Sequence, residues 1–324
     1  LGSQIENIGS YAFSNCSSLT NIIIPNSVTT IGYSAFNNCI SLESLVFGIS
    51  LEVIEDYAFS ECISLKEIYF EGIIKINQNA FSNCTNLVEV TFGEFVKLDS
   101  IGDAAFAYCS SLAEISLPNS VKSIGYGIFR DCDSLQTLTL PFIGESNTAT
   151  ENAHFGYIFG SPQASYRYNL QYVPSSLKKV HITNAEKVAE YAFEDCKWIE
   201  EIIIEGNVNI IGRFAFNGCG SLLKLDIPDS VKTIESNAFA YCSSLLSITL
   251  PSQLSRIDNS AFSYCSSLKS ILIPETVNYL GSGVFVSCSS LVEISLPNNI
   301  TTIPSSSFFD CSSLSKVSYS NNVT

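Results

Sequence analysis

The residues of this chain that could do chemistry are twelve cysteines, two histidines and many serines. The thiols could act as nucleophiles, metal ligands or disulfide partners, and their spacing decides among these roles. They are Cys16, Cys39, Cys62, Cys84, Cys109, Cys132, Cys196, Cys219, Cys242, Cys265, Cys288 and Cys311, separated mostly by 23 residues, with single gaps of 22, 25 and 64. Metal sites need close pairs such as C-x-x-C, and none occurs. Neighbouring coils of a stacked array lie about 4.8 Å apart, a distance that disulfides would tolerate. A disulfide framework would not, however, need a cysteine on nearly every coil. A reduced, buried ladder of small apolar side chains is expected instead, and it leaves the redox compartment open.

The histidines are His154 and His181, and neither lies in an H-E-x-x-H pattern. His181 could neighbour Asp226 two coils away, but a nucleophile and an oxyanion hole would also have to converge there. Recurrent serine pairs such as Ser110-Ser111 are turn formers. No G-x-x-x-x-G-K-[ST] or G-x-S-x-G motif occurs. The chain is therefore read as non-catalytic, with no cofactor and no metal site.

The elements that position these residues are repeats. Aligning on cysteine yields C-S-S-L-x-x-I-x-I-P-x-x-V-x-x-I-G-x-x-A-F, with a period near 23 that marks a solenoid. L-x-x-I-x-I alternates apolar and polar residues, as a half-buried strand does. Proline then stops the strand at Pro25, Pro118, Pro228, Pro251, Pro274 and Pro297. V-x-x-I suits a short irregular or helical-turn return, and the A-F pair follows on the far side of the coil. One coil cannot bury enough apolar surface to fold alone, so neighbours must complete each other's core. The phenylalanines from Phe13 and Phe36 through Phe285 and Phe308 should stack into a spine.

This unit resembles the BspA-like, or Treponema pallidum-type, leucine-rich repeat. The match is carried by Leu112, Ile115, Leu117, Pro118, Val121, Ile124, Gly125, Phe129 and Cys132, with equivalents along nearly the whole chain. The resemblance implies an α/β repeat solenoid, a right-handed superhelix with a parallel β-sheet on its concave side. It also implies a surface protein of bacteria or parasitic protists, with associations to host matrix proteins, epithelium and other microbes.

Residues 1–324 read as a single solenoid with an insertion at 142–173, inside the repeat that starts at Cys132. Pro174 stands in the cysteine column, because Ser175-Ser176-Leu177 restores the phase. Ser146–Asn152 reads as a loop. The aromatic run from His154 to Gly160 is a candidate substitute for the missing A-F turn. Tyr157, Tyr166, Arg167 and Tyr168 could instead form a binding protrusion, since tyrosine and arginine are enriched at interaction hot spots. Both readings stand at this level.

On the strand, the polar positions point away from the core. Glu67, Glu89 and Glu114 fall in one column and Tyr69 and His181 in the next; the three glutamates with Tyr69 form an acidic, partly aromatic strip in the N-terminal half. They either solvate a sheet or bind a partner.

A net charge of −15 disfavours nucleic acid and anionic lipid surfaces, while permitting a basic partner. No run of 18 apolar residues exists, so membrane insertion is not expected. Both ends fall inside a repeat, so the chain is expected to be a segment of a longer protein whose targeting signals lie elsewhere. The expected function is a cell-surface or secreted binding protein for a protein or glycan, on host matrix or another cell. The alternative is a structural protein that self-associates by stacking coils end to end.

Overall fold

The computed structural model describes residues 1–162 and 168–319. By contact density the chain divides into two compact units, Leu1–Ala149 with Gly156–Pro162, and Thr150–Phe155 with Gln163–Thr324. Each is a stack of coils joined by parallel strands.

The alternating stretch of the repeat forms a short strand with one buried face. In Glu67–Phe70, Ile68 and Phe70 are buried while Glu67 and Tyr69 are exposed. Its neighbours pair in parallel one coil apart, as Ile115 with Leu138 and Ile202 with Leu225. We call the exposed side of these strands the strand face.

The return limb differs from the expected irregular or helical turn. It holds a second parallel ladder of two-residue strands, six of them in the first unit, from Asn7–Ile8 to Ser123–Ile124. Four residues are too few to close a stable helical turn. Each N–H instead finds a carbonyl one coil away, as Gly32 N does at Ile8 O (2.8 Å) and Glu55 N at Ile31 O (2.9 Å). Among the described residues helix is confined to the interrupted region, as a 3-10 turn at Phe155–Phe159 and an α-helix at Tyr168–Tyr172.

The A-F turn is laddered as well. Left-handed residues bracket it, for example Tyr57 (φ 59°) and Glu61 (φ 64°), a conformation unusual away from glycine. It costs of order 1–2 kcal/mol per residue. Hydrogen bonds to the next coil offset that cost: Tyr57 N to Gln78 O at 2.9 Å, Phe59 N to Ala80 O at 2.8 Å, Glu61 N to Ser82 O at 2.9 Å.

Inside, the phenylalanine spine is continuous within each unit. Phe36 and Phe59 stack at 5.0 Å and Phe216 and Phe239 at 5.2 Å, both nearly parallel. The cysteines are free, and all but Cys16 and Cys311 are buried. Each buried thiol that follows a regular coil donates to the carbonyl of the previous phenylalanine, as Cys62 Sγ to Phe36 O (3.3 Å) and Cys242 Sγ to Phe216 O (3.2 Å). A small apolar side chain with one weak donor satisfies that buried carbonyl, which explains the ladder without disulfides.

Pro174 occupies the cysteine turn, with Leu177 N donating to Pro174 O at 3.1 Å, as Leu112 N does to Cys109 O at 3.0 Å. The insertion supplies parts of a missing coil. In the first unit Gly127 N reaches Tyr157 O (2.9 Å), Phe129 N reaches Ile158 O (2.8 Å) and Ile124 N reaches Glu145 O (2.9 Å). In the second, Phe155 packs 4.8 Å from Phe193 and its N–H donates to Ala192 O.

Candidate partner-binding face

The period-2 strands set out the candidate residues of the first unit. Glu67 and Tyr69 project from Glu67–Phe70, Glu89 from Glu89–Phe92 and Glu114 from Glu114–Ser116, all exposed. Glu67 lies directly opposite Glu89 in register, and Tyr69 opposite Thr91. Like charges so placed repel.

The Glu67–Phe70 and Glu89–Phe92 pair is hydrogen-bonded to neither neighbouring strand, so the strand face has a seam on each side of it. A groove of about 300 Å³ opens at one seam, beside Val46, Glu67, Tyr69 and Glu89. A second, of about 360 Å³, opens at the other beside Glu89, Thr91, Glu114 and Thr137. Glu89 borders both. Ile23, Val46 and Tyr69, each more than half exposed, continue an apolar row along the same column.

Among the described residues no ion pair involves Glu67, Glu89 or Glu114. Glu89 accepts only the Thr91 hydroxyl, at 2.9 Å. The Tyr69 hydroxyl donates to the Glu71 carboxylate, and this bond raises its pKa above the usual tyrosine value.

The other candidates fare differently. His181 Nε2 lies 3.2 Å from Glu205 Oε1, while Asp226, two strands along in the same column, pairs with Lys224 at 2.9 Å. Tyr157, expected on a protrusion, is instead only 9% exposed. Its ring packs edge-on against Tyr126 at 5.6 Å, and burial pushes its hydroxyl up to about 12. The reason is that its backbone serves the substitute turn, which draws the side chain inward. Tyr166 and Arg167 lie outside the described residues, and Tyr168 is described only as the first residue of its helix.

Among the described residues no cluster of three or more His, Cys, Asp or Glu side chains is arranged to hold a metal. None of the described helices is long and apolar enough to cross a membrane.

Two features escaped the sequence reading. A second aromatic column, Phe47, Phe70 and Phe92, stacks at 5.2 and 5.4 Å beneath the grooves. Its signal was the replacement of the repeat proline by Gly48, Glu71 and Gly93. A larger concavity, beside Trp198, lies on the cysteine-turn edge of the second unit.

Comparison with known families matches the BspA type leucine rich repeat region (6 copies), over residues 1–99, 96–176, 167–288 and 242–324. Among solved structures the chain is similar to a leucine-rich repeat protein from Bacteroides ovatus, with 23% identity over 98% of this chain and 88% of that one and a TM-score of 0.46. It is also similar to the pneumococcal vaccine antigen PcpA, with 26% identity over 90% and 73% of the two chains and a TM-score of 0.41. The T. pallidum leucine rich repeat protein shares 25% identity over 76% of each chain, with a TM-score of 0.31. No curated protein sequence matches the chain. The family match runs through the whole repeat array, and the chain belongs to the BspA-type leucine-rich repeat family.

Proposed function

We propose that the protein is a non-catalytic adhesion protein, placed at a cell surface or secreted, that binds a partner protein through the strand face around Glu67, Tyr69, Glu89 and Glu114. The observation carrying this reading is the run of three carboxylates without counter-ions bordering two grooves with an exposed tyrosine. Such a face favours a partner rich in lysine and arginine, whose cations would relieve the Glu67–Glu89 repulsion. The negative field of the whole chain would speed the encounter. Strands fixed by hydrogen bonds and packed rings need little ordering on binding, which lowers its cost. A glycan is the second ligand class for the same face. Membership of the BspA-type family supports the surface placement in this reading.

Beads coated with the protein and exposed to an extracellular-matrix extract test the proposal. Retention of matrix protein is expected, falling sharply at about 0.5 M salt, where screening shortens to a few ångströms. Glu67→Gln with Glu89→Gln and Glu114→Gln should abolish that retention. Retention equal to wild type in the triple variant would remove this face from the function.

A further inference from the structure

The concavity beside Trp198 arises from three departures from the repeat. The residue before each cysteine is left-handed, and over the first four of the cysteines in the second unit this column reads Asp195, Gly218, Tyr241 and Tyr264. Tyr241 and Tyr264 stack at 4.5 Å with planes 4° apart. In the next coil Gly218 brings no side chain, so the other face of Tyr241 meets an empty slot one coil wide. Tyr241 is 53% exposed. Asp195 borders the far side, its Oδ1 placed so that a Cβ on Gly218 would lie only 2.5 Å away.

After most cysteines the repeat has two small or short polar residues, usually serine. Here Lys197 and Trp198 follow Cys196, and Gly220 follows Cys219. The two glycines hollow the edge while Trp198 raises a wall beside it, 42% exposed. The resulting groove of about 690 Å³ is within the range of small-molecule sites, which combine aromatic walls with a few polar groups. Asn217 lines it, donating through Nδ2 to Glu194 at 3.1 Å, while its Oδ1 has no hydrogen-bond partner.

Charge decides the ligand class. Lys197 Nζ lies 3.6 Å from Asp195, so that carboxylate is already offset, and Glu194, the second carboxylate of the lining, is buried and accepts from Asn217 Nδ2 at 3.1 Å. A guanidinium entering the slot would face the ammonium as well as the carboxylate. A wholly apolar ring would strip water from both charges without replacing their hydrogen bonds. A ring with one C–H face and a hydroxyl rim satisfies every wall, because its C–H groups meet the negative face of tyrosine and its hydroxyls both donate and accept.

We propose that this groove binds a neutral saccharide, with a pyranose ring stacked on the open face of Tyr241 beside Gly218, and with Asp195 and Lys197 meeting its hydroxyls. The site lies on the turn edge of the coils and does not depend on the acidic strand face.

Trp198 is the only tryptophan in the chain and reports directly on the groove. Its emission is followed during titration of the full chain with cellobiose, lactose, maltose and N,N′-diacetylchitobiose, with free arginine as the cationic control. At least one disaccharide is expected to give a saturable shift, weakened by roughly tenfold or more in Tyr241→Ala. Gly218→Tyr carries the residue type of Tyr241 and Tyr264 at the same left-handed backbone; its Cβ would push the Asp195 carboxylate aside, so it should fill the slot, remove one hydroxyl partner and abolish the response. Far-UV circular dichroism confirms that both variants remain folded. A shift with none of the four sugars, a shift that survives both variants, or a response to arginine alone would overturn the proposal.

Discussion

Residues 67–114 and residues 178–226 each build a strand face from the same repeat, yet they treat acidic side chains in opposite ways. In the second region Lys224 Nζ lies 3.0 Å from Glu201 and 2.9 Å from Asp226, and hydrogen bonds to both raise its pKa. Lys178 lies 3.6 Å from Glu200 and Lys179 lies 3.8 Å from Glu201. Cations one coil away meet the carboxylates there, whereas Glu67, Glu89 and Glu114 have none. Exposed ion pairs contribute little to stability, so the fold is indifferent to which arrangement a column carries. On the proposed function the difference belongs to recognition: the repeat fixes where a side chain points and leaves its charge free to suit a partner.

If only the faces differ, the cores should fail together, and alkali produces the largest expected effect. Each of the two units that contain these regions holds five buried thiols, Cys39 to Cys132 in one and Cys196 to Cys288 in the other. Burial raises their pKa values above the usual 9.0, to about 11 for Cys39 and about 12 for Cys132 and Cys288. Between pH 9.0 and those values the unfolded chain has lost protons that the folded chain keeps. Stability is therefore intact below pH 9.0 and falls above it, by about 1.4 kcal/mol per pH unit for each thiol. Cooperative unfolding above that pH is expected in circular dichroism. Trp198 emission, which reports on the second region alone, should change over the same range. Transitions more than about one pH unit apart would mean the cores are not equivalent.

A smaller effect separates the two regions by packing. Phe70→Ala empties the centre of the second aromatic column, where Phe70 is 1% exposed, and should cost about 3–5 kcal/mol in urea unfolding. Ile204 holds the equivalent place in the other region, and Ile204→Val should cost only about 0.5–1.5 kcal/mol. Partner binding should be lost with the first and kept with the second, because only the first disturbs the strand that carries Glu67 and Tyr69. Equal binding by both variants would detach recognition from that aromatic column.

How much of this was readable beforehand depends on whether a feature repeats. The thiol, phenylalanine and leucine columns were legible because each inward position accepts few side chains, and twelve copies average out the exceptions. The second ladder was not, because V-x-x-I is too short to show a strand period; its pairing exists only between coils. The acidic strip was legible as a column, but its grooves were not, since they mark where neighbouring strands fail to pair. For the aromatic run at the interruption the sequence left two readings open, a substitute turn and a protrusion, because only the bonds between coils show the Tyr157 backbone completing a turn. The groove beside Trp198 lay in the departures from the pattern, in residues far apart in sequence that adjacent coils bring together.

Charge exchange tests the comparison itself. Glu67→Lys with Glu89→Lys should weaken binding of the matrix partner by roughly tenfold or more. The reciprocal pair, Lys179→Glu with Lys224→Glu, leaves the second face with carboxylates that have no cation. If bare carboxylates suffice, this variant gains a second binding face and a steeper salt dependence. If it gains nothing, the grooves and Tyr69 are required as well, and the acidic strip alone does not define the site.

The smallest effect is also the most diagnostic. Glu67 and Glu89 sit opposite each other across a parallel pair, so Glu89→Lys converts a repulsion into an attraction. The urea midpoint should rise by an amount equivalent to about 0.2–1 kcal/mol, and the gain should shrink as salt screens the pair. The same substitution should lower partner affinity, so one change would move stability and binding in opposite directions. That opposition is what separates a recognition face from a merely solvated one: on a solvated face the lysine would strengthen the fold and nothing else would change. A lower midpoint in Glu89→Lys would show instead that the two carboxylates do not repel, and the case for a strip awaiting cations would lose its physical basis.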